Sequence, residues 1–340
     1  MERQIGRPPP LRVFTTAHFA PDLQVQLWER HNAEALIAQH HDAPTDQPFT
    51  ALESNLQLGA LHLALVRGSR HAVERSAAMA ESYPSDSVMI YTALRGEAIF
   101  ERAGHRRRLH PGHLLVCDAD QPFTRVFGHG LEELVVKVPR PVFEATAGIA
   151  ASSDSVVVNS HSTSHPYARA LVRMVGQAVR PREPVPADEA SILELAAALV
   201  TGERTPLAVA HRAAAKVFIE DHLTDPDLGA VTIATATGIS ERTLSRVFAD
   251  SRTSVPRYIL ARRLDLAYSV LSASAGTRIR TADVAVHCGF GSTAYFSQAF
   301  KRRFGADAGD VSRARNCAYS FPPTLGSRVP DSIPFTEYSG

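Results

Sequence analysis

The chain is short of cysteine, of lysine and of unbroken apolar runs. Its three cysteines, Cys117, Cys288 and Cys317, stand too far apart for a disulfide framework or a tetrahedral metal set. Only three of its 36 cations are lysine; the arginine excess reads as coding composition and carries no mechanism. No apolar stretch approaches the roughly 20 residues that a membrane span needs. The most apolar one, Leu193–Val200, is interrupted by Glu194. The first ten residues, Met1 to Pro10, lack the apolar middle of a secretion signal, so the expectation is a cytoplasmic protein with no membrane partner. What is present is a globular composition, 44% hydrophobic and 21% charged over 340 residues. This excludes a wholly disordered or collagen-like chain and leaves room for about two domains.

Charge is unevenly spread although the net value is only +1. Residues 1–205 carry 20 Arg and Lys against 23 Asp and Glu, whereas residues 206–315 carry 15 against 10. A basic module thus follows a slightly acidic body. Such a module can attract phosphate backbones, although an excess of this size is also common in proteins that bind no nucleic acid.

The texture of the chain changes three times. Leu23–Gln39 reads as a helix carrying Trp28. From Phe49 to Pro139, short apolar stretches alternate with turns: Leu58–Val66, Ser87–Leu94, Glu97–Arg102, His105–Leu109, His113–Cys117, Thr124–Phe127 and Leu131–Val138. This spacing predicts an antiparallel sandwich or barrel, with hairpin turns at Gly96, at Ala103-Gly104 and at Pro111-Gly112. Pro166–Val179 and Asp188–Thr201 then read as two helices separated by a proline-rich loop, 180–186. Their apolar face can pack on the barrel, on a second subunit, or on both. Thr201 to Pro206 reads as the interdomain linker. Nearly everything from Leu207 to Arg315 reads helical, and 316–340 reads as a flexible tail.

The most informative pattern starts at Thr232. A short helix, Gly238, the apolar Ile239 and an N-capping Ser240 lead into a helix over Glu241–Ala249. Leu244, Val247 and Phe248 share one face of it. Arg242 and Arg246 lie on the other, with Thr243, Ser245 and Ala249 at the margins. A helix with this layout can enter a major groove; a solvated surface helix has the same composition. The pattern then recurs. A short helix, Gly289, Phe290 and a capping Ser292 lead into a helix that ends at Phe304. Phe296, Ala299 and Phe300 face inward there, Gln298, Lys301 and Arg302 face outward, and Tyr295 lies on the flank. Between the two units, Pro256–Ser272 forms an amphipathic spacer.

Residues 207–315 resemble the DNA-binding domain of AraC/XylS-type transcription regulators. The resemblance is carried by Gly238-Ile239-Ser240-Glu241-Arg242-Thr243-Leu244-Ser245-Arg246-Val247-Phe248, by Tyr258-Ile259 with Arg263-Leu264 and Ala267, and by the run Cys288 to Gly305. One departure is visible. After Phe304-Gly305 the family usually has Ser-Pro leading to Tyr-Arg, where this chain has Ala306-Asp307-Ala308-Gly309-Asp310-Val311-Ser312-Arg313. Tyr91–Pro139 is similar to the cupin-like sensor domain of a branch of that family. The resemblance implies an α+β multidomain fold: a cupin-like β-barrel with flanking helices over 1–205, an all-α domain with two helix-turn-helix units over 206–315, and the tail 316–340. It further implies sequence-specific binding of double-stranded promoter DNA, most often for activation through RNA polymerase, a small-molecule effector, and a homodimer through 166–201. No cofactor is implied.

Within this resemblance, Arg242, Thr243, Ser245 and Arg246 are expected at one groove, and Ser292, Tyr295, Gln298, Lys301 and Arg302 at the next. Trp28, His62, Tyr91, Phe100, Phe123 and Arg125 are candidate effector contacts, each equally at home in a core. His105, His110 and His113 cluster near one turn but lack the His-x-His and carboxylate spacing of metal-using cupins, so no metal is expected. The competing readings are a cupin-type metal enzyme with a helical appendage, a nucleoid protein without sequence preference, and a repair protein with a reactive cysteine. The last needs a cysteine cluster near the N-terminus, where this chain has none before Cys117.

Overall fold

The structure is a computed structural model that describes residues 10–150, 154–160, 166–180, 187–201, 207–273 and 279–313. Its first part interleaves strands and helices: β1 Arg12–Thr15, α1 Pro21–Ala35, β2 His40–Asp42, β3 Ala51–Gln57, β4 His62–Gly68, β5 His71–Arg75 and α2 Ala77–Ser82. Then come β6 Ser87–Arg95, β7 Ala98–Arg102, β8 His105–Leu109, β9 His113–Asp118, β10 Phe123–Phe127, β11 Leu131–Pro139, α3 Arg140–Ala147 and β12 Val156–Asn159. The rest is helical: α4 Pro166–Ala178, α5 Glu189–Thr201, α6 Leu207–Asp221, α7 Ala230–Thr237, α8 Glu241–Ala249, α9 Val255–Ala273, α10 Thr281–His287, α11 Thr293–Phe304 and α12 Ala308–Arg313.

The strands form two antiparallel sheets, ordered β1-β3-β4-β11-β6-β9-β12 and β2-β5-β10-β7-β8. In the larger sheet the strands β4, β11, β6 and β9 are buried on both faces and alternate between two cores. Ile90, Val116, Leu134 and Val136 face α3, α4 and α5. Met89, Tyr91, Leu115, Cys117 and Val135 face the interior between the sheets, where Trp28 of α1 closes one end. Double burial explains why these strands read as near-continuous apolar runs. The β7–β8 hairpin turns on Ala103 and Gly104, both at positive φ (48° and 76°), with Arg102 paired to His105. This is the two-residue turn that matches strand twist. Gly96 has no room for a side chain, since a Cβ there would stand 2.4 Å from the Gly130 carbonyl oxygen.

The fold expected from the sequence is the one observed, with several boundary corrections. The first helix ends at Ala35 rather than Gln39, because the chain turns into β2 at His40. The expected strand at Leu58–Val66 begins at His62, because Leu58–Leu61 is the turn out of β3. Strands β1, β2, β3, β5 and β12 and helices α2 and α3 were not anticipated. In β3 and β5 the buried positions include Glu53, Ser54, Asn55, His71 and Arg75, so polar residues fill slots where alternation predicts apolar ones. The apolar face of α4 and α5 packs on the chain's own larger sheet and on α6, leaving Tyr167, Val172, Leu193 and Val200 half-buried at its rim. The linker 202–206 and the tail 316–340 lie outside the described residues.

Candidate nucleic-acid interface and sensor cavity

Two helix-turn-helix units share one spacer. The first core joins Ile233 and Ala234 of α7, Leu244, Val247 and Phe248 of α8, and Val255, Tyr258 and Ile259 at the start of α9. The second joins Leu264, Ala267 and Leu271 further along α9 to Val284 and Ala285 of α10, and to Phe296, Ala299 and Phe300 of α11. One continuous helix thus belongs to both cores. At 1.5 Å per residue, its 19 residues span roughly 28 Å.

Each of the helices α8 and α11 is started by a serine. Ser240 Oγ accepts from the Thr243 N–H at 3.1 Å and Ser292 Oγ from the Tyr295 N–H at 3.3 Å. Gly238 and Gly289 lie in the left-handed region at φ 69° and 80°, where the chain leaves the short helix before each cap. On α8, Arg242, Ser245 and Arg246 are exposed opposite the buried stripe. Thr243 is half-buried, and its hydroxyl stands 3.0 Å from Ser240 Oγ. On α11, Tyr295, Gln298, Lys301 and Arg302 are exposed. Lys301 Nζ pairs with Asp307 at 3.1 Å, with both side chains exposed, a contact that costs little to release. Arg303 turns the other way, donating to Asp265 of α9 at 2.9 and 2.6 Å. Ser292 is the cap rather than a free side chain. The last helix forms despite the missing Ser-Pro pair, and Arg313 pairs with Asp310 at 2.5 Å.

The interior between the sheets is the second candidate site. It holds a small, partly open cavity of about 20 Å³, walled by Trp28, His41, His71, Tyr91, Arg125, Phe127 and Glu133 among others. Arg125 and Glu133 form a buried two-fold contact at 3.0 and 2.5 Å. The guanidinium also lies over the Tyr91 ring at 4.0 Å and the Phe127 ring at 4.8 Å. Burial works against the Arg125 charge, but the Glu133 carboxylate more than offsets it and holds the group above its usual range. The rings of His41 and His71 stack at 5.4 Å. Burial lowers both, His71 to about 4, so they are neutral at pH 7. Trp28 Nε1, Gln39 Oε1, His41 Nδ1 and Arg125 Nε are buried here with no hydrogen-bond partner among the described residues. A larger open cleft of about 440 Å³ lies by Gly96 and Gly130, where Glu132 pairs with Arg67 and Arg95.

Comparison with known proteins decides the assignment. Residues 28–202 match the AraC-binding-like domain and residues 233–314 match a helix-turn-helix domain.

The chain is a member of the AraC family of transcription regulators.

As an AraC-family regulator it binds promoter DNA. It is 26% identical over 271 residues to the transcriptional activator NphR of a Rhodococcus species, covering 77% of this chain and 80% of that one. It is 31% identical over 101 residues to the transcriptional activator RhrA of Rhizobium meliloti, covering 30% of this chain and 32% of the other. The solved structure of the AraC-like transcriptional activator CuxR aligns with 76% of this chain and 96% of its own, at 21% identity and a TM-score of 0.47.

Three of the six anticipated effector contacts, Trp28, Tyr91 and Arg125, line the regulator's cavity. The other three do not. Phe100 and Phe123 pack on each other at 6.0 Å within the core. His62 lies at the β3–β4 pair, 2.6 Å from Asn55 Oδ1 and 3.0 Å from Gln57 Oε1. Sequence reading missed His41, His71 and Glu133. The signal for Glu133 was available: a cation at an inward position of β10 needs a buried carboxylate, and the next strand in the chain, β11 of the facing sheet, offers one. His105 is exposed, and His110 pairs with Glu97 at 2.8 Å. Among the described residues no cluster of His, Cys, Asp or Glu has the makings of a metal site. Burial pushes the Cys117 thiol up to about 12 and the Cys288 thiol up to about 11, which disfavours the reactive thiolate.

Proposed function

We propose that this regulator activates transcription from a two-part operator, with α8 in one major groove and α11 in the next. The observation that carries the reading is the pair of outward polar faces, Arg242, Ser245 and Arg246 on one helix and Tyr295, Gln298, Lys301 and Arg302 on the other, joined by one shared helix. Arg242 and Arg246 suit guanine edges, and Thr243 and Ser245 suit a neighbouring base or phosphate. Lys301 and Arg302 suit phosphate, which fixes register without reading sequence. The names of the relatives support activation, and with it a contact to RNA polymerase.

The units proposed are 1–205 as sensor, 206–315 as DNA reader and 316–340 as a tail. The effector enters the barrel interior at Trp28, Tyr91 and Arg125. The 20 Å³ there holds no more than about one water, so an effector must part the walls; with Arg125 paired to Glu133 and both histidines uncharged, the opened interior suits a neutral molecule with hydrogen-bonding groups and an apolar body. A second copy docked through 166–201 would meet the rim of Tyr167, Val172, Leu193 and Val200. Selection of bound fragments from genomic DNA with the full chain tests the reading. It expects one motif with two conserved blocks; recovery of fragments without a shared motif would contradict it.

A further inference from the structure

A buried polar seam joins the sensor to the DNA-reading helices, and none of the expected DNA contacts lies in it. It starts at the barrel. The β3–β4 loop aims the backbone N–H groups of Gly59, Ala60 and Leu61 at the Glu189 carboxylate, at 3.2, 2.5 and 3.2 Å. Glu189 is the first residue of α5, so the barrel grips that helix at its N-terminus. On the far side of α5, Glu194 accepts from Arg212 Nε at 2.7 Å and from Lys216 Nζ at 3.2 Å, both on α6. Asp188 adds a carboxylate 3.6 Å from Lys216. Arg212 then reaches past α6, and its Nη1 donates to the Val247 carbonyl of α8 at 3.0 Å.

The chemistry of that last contact is specific. Val247 lies in the final turn of α8, where carbonyls run out of partners and the helix dipole is negative. The Ser251 N–H donates to the Phe248 carbonyl at 3.0 Å, and the Val247 carbonyl receives the guanidinium instead. A side chain belonging to α6 thereby holds α8 by its backbone, and the geometry of that side chain is set by a sensor carboxylate. The side chains of Glu194, Arg212 and Lys216 are about nine-tenths buried or more. Buried ion pairs of this kind are weak sources of stability, because desolvation opposes them. What they supply is a fixed arrangement, since a carboxylate facing two cations away from water tolerates little displacement.

From this we infer that Glu194 is a positioning residue for DNA reading. Held in the sensor, it sets the pose of α8 through Arg212, and a shift of α5 reaches Arg242 and Arg246 by this route. The inference rests on the reading of α8 as a groove helix. A longer branch runs from Ser191 through Tyr258, Glu220, Arg262 and Asp265 to Arg303 of α11. It has more intermediaries, and the test addresses the short one.

The test uses the full chain on an operator selected from genomic DNA, with hydroxyl-radical footprints and affinities for operators altered in one half-site. Arg242→Ala first identifies the half-site that α8 reads. Glu194→Gln should then weaken that half-site about tenfold, in the usual range of coupling between sites, and leave the other half-site protected. Arg212→Lys keeps the charge beside Glu194 but cannot span to Val247, and should show the same selective loss. It decides the matter alone if Glu194→Gln does not fold. Lys216→Met touches the same carboxylate but not α8, and should lower the urea midpoint without half-site selectivity. Normal protection of both half-sites in Arg212→Lys, or equal loss of both with the fold intact, overturns the inference. So does an equal selective loss in Lys216→Met. If Arg242→Ala changes neither half-site, the groove reading of α8 fails as well; if Arg242→Ala is selective and Arg212→Lys is not, only the positioning role fails.

Discussion

Lys301 and Arg242 differ in what surrounds them, and this separates their tasks. Lys301 shares solvent with Asp307, so its ammonium can change partners freely. Replacing it with alanine should reduce the dependence of log K on log salt by about one and weaken all sequences alike, as titration of binding against salt would show. Arg242 stands on the exposed first turn of α8. Arg242→Ala should cost about 1–3 kcal/mol at one base pair and little elsewhere, measured with single-base operator variants. Inside the barrel the logic reverses. Arg125→Met leaves Glu133 buried and unpaired, which should cost about 3–5 kcal/mol in urea unfolding. Arg125→Met with Glu133→Leu should recover most of that loss. His71 gives a pH dependence of defined sign. Its folded value, about 4, lies below the unfolded value of 6.5, so the unfolded chain binds the proton first. Stability is full above pH 6.5 and falls as pH drops toward 4. His71→Asn should flatten the fall of the urea midpoint across that window.

At the scale of elements, the glycines that end α7 and α10 pose a contrast. Both lie at positive φ, but a Cβ on Gly238 meets open space, whereas one on Gly289 would stand 3.0 Å from the Thr224 carbonyl and from Arg263 Nε. Gly238→Ala should cost about 1 kcal/mol from backbone conformation alone. Gly289→Ala should cost distinctly more, because backbone must give way; thermal unfolding of the two variants checks the order. The same two units were the most legible part of the sequence. Their caps, glycines and apolar spacing are local, and local rules govern them. The strands β6, β9 and β11 were legible because apolar residues occupy both faces, and β7, β8 and β10 because hairpin turns and alternation mark them. β3 and β5 were not, since Glu53, Asn55, His71 and Arg75 are inward polar residues that break the apolar alternation, and Arg75 takes its partners from distant segments. Sequence periodicity cannot register a partner more than 40 residues away, such as the Ala119 carbonyl that receives Arg75 Nε at 2.6 Å. Arg125 and Glu133 are only eight residues apart, but they lie on strands of different sheets, so alternation along either strand alone does not pair them.

At the scale of the whole molecule, a basic reader follows an acidic sensor, so long-range attraction favours approach to DNA by one end of the chain. The spacer α9 fixes the separation of the two heads. Footprints on the selected operator should therefore show two protected blocks about 10 base pairs apart on one side of the duplex; protection of a single block would argue against simultaneous reading. The larger sheet has its own consequence. Tyr91 faces the cavity, and its backbone neighbour Ile90 faces the helices that include α5. The sheet is a party wall, with a guest's room on one side and the controls on the other. Swelling of the first room would press on the second, so the expected consequence of filling the cavity is a displacement of α5.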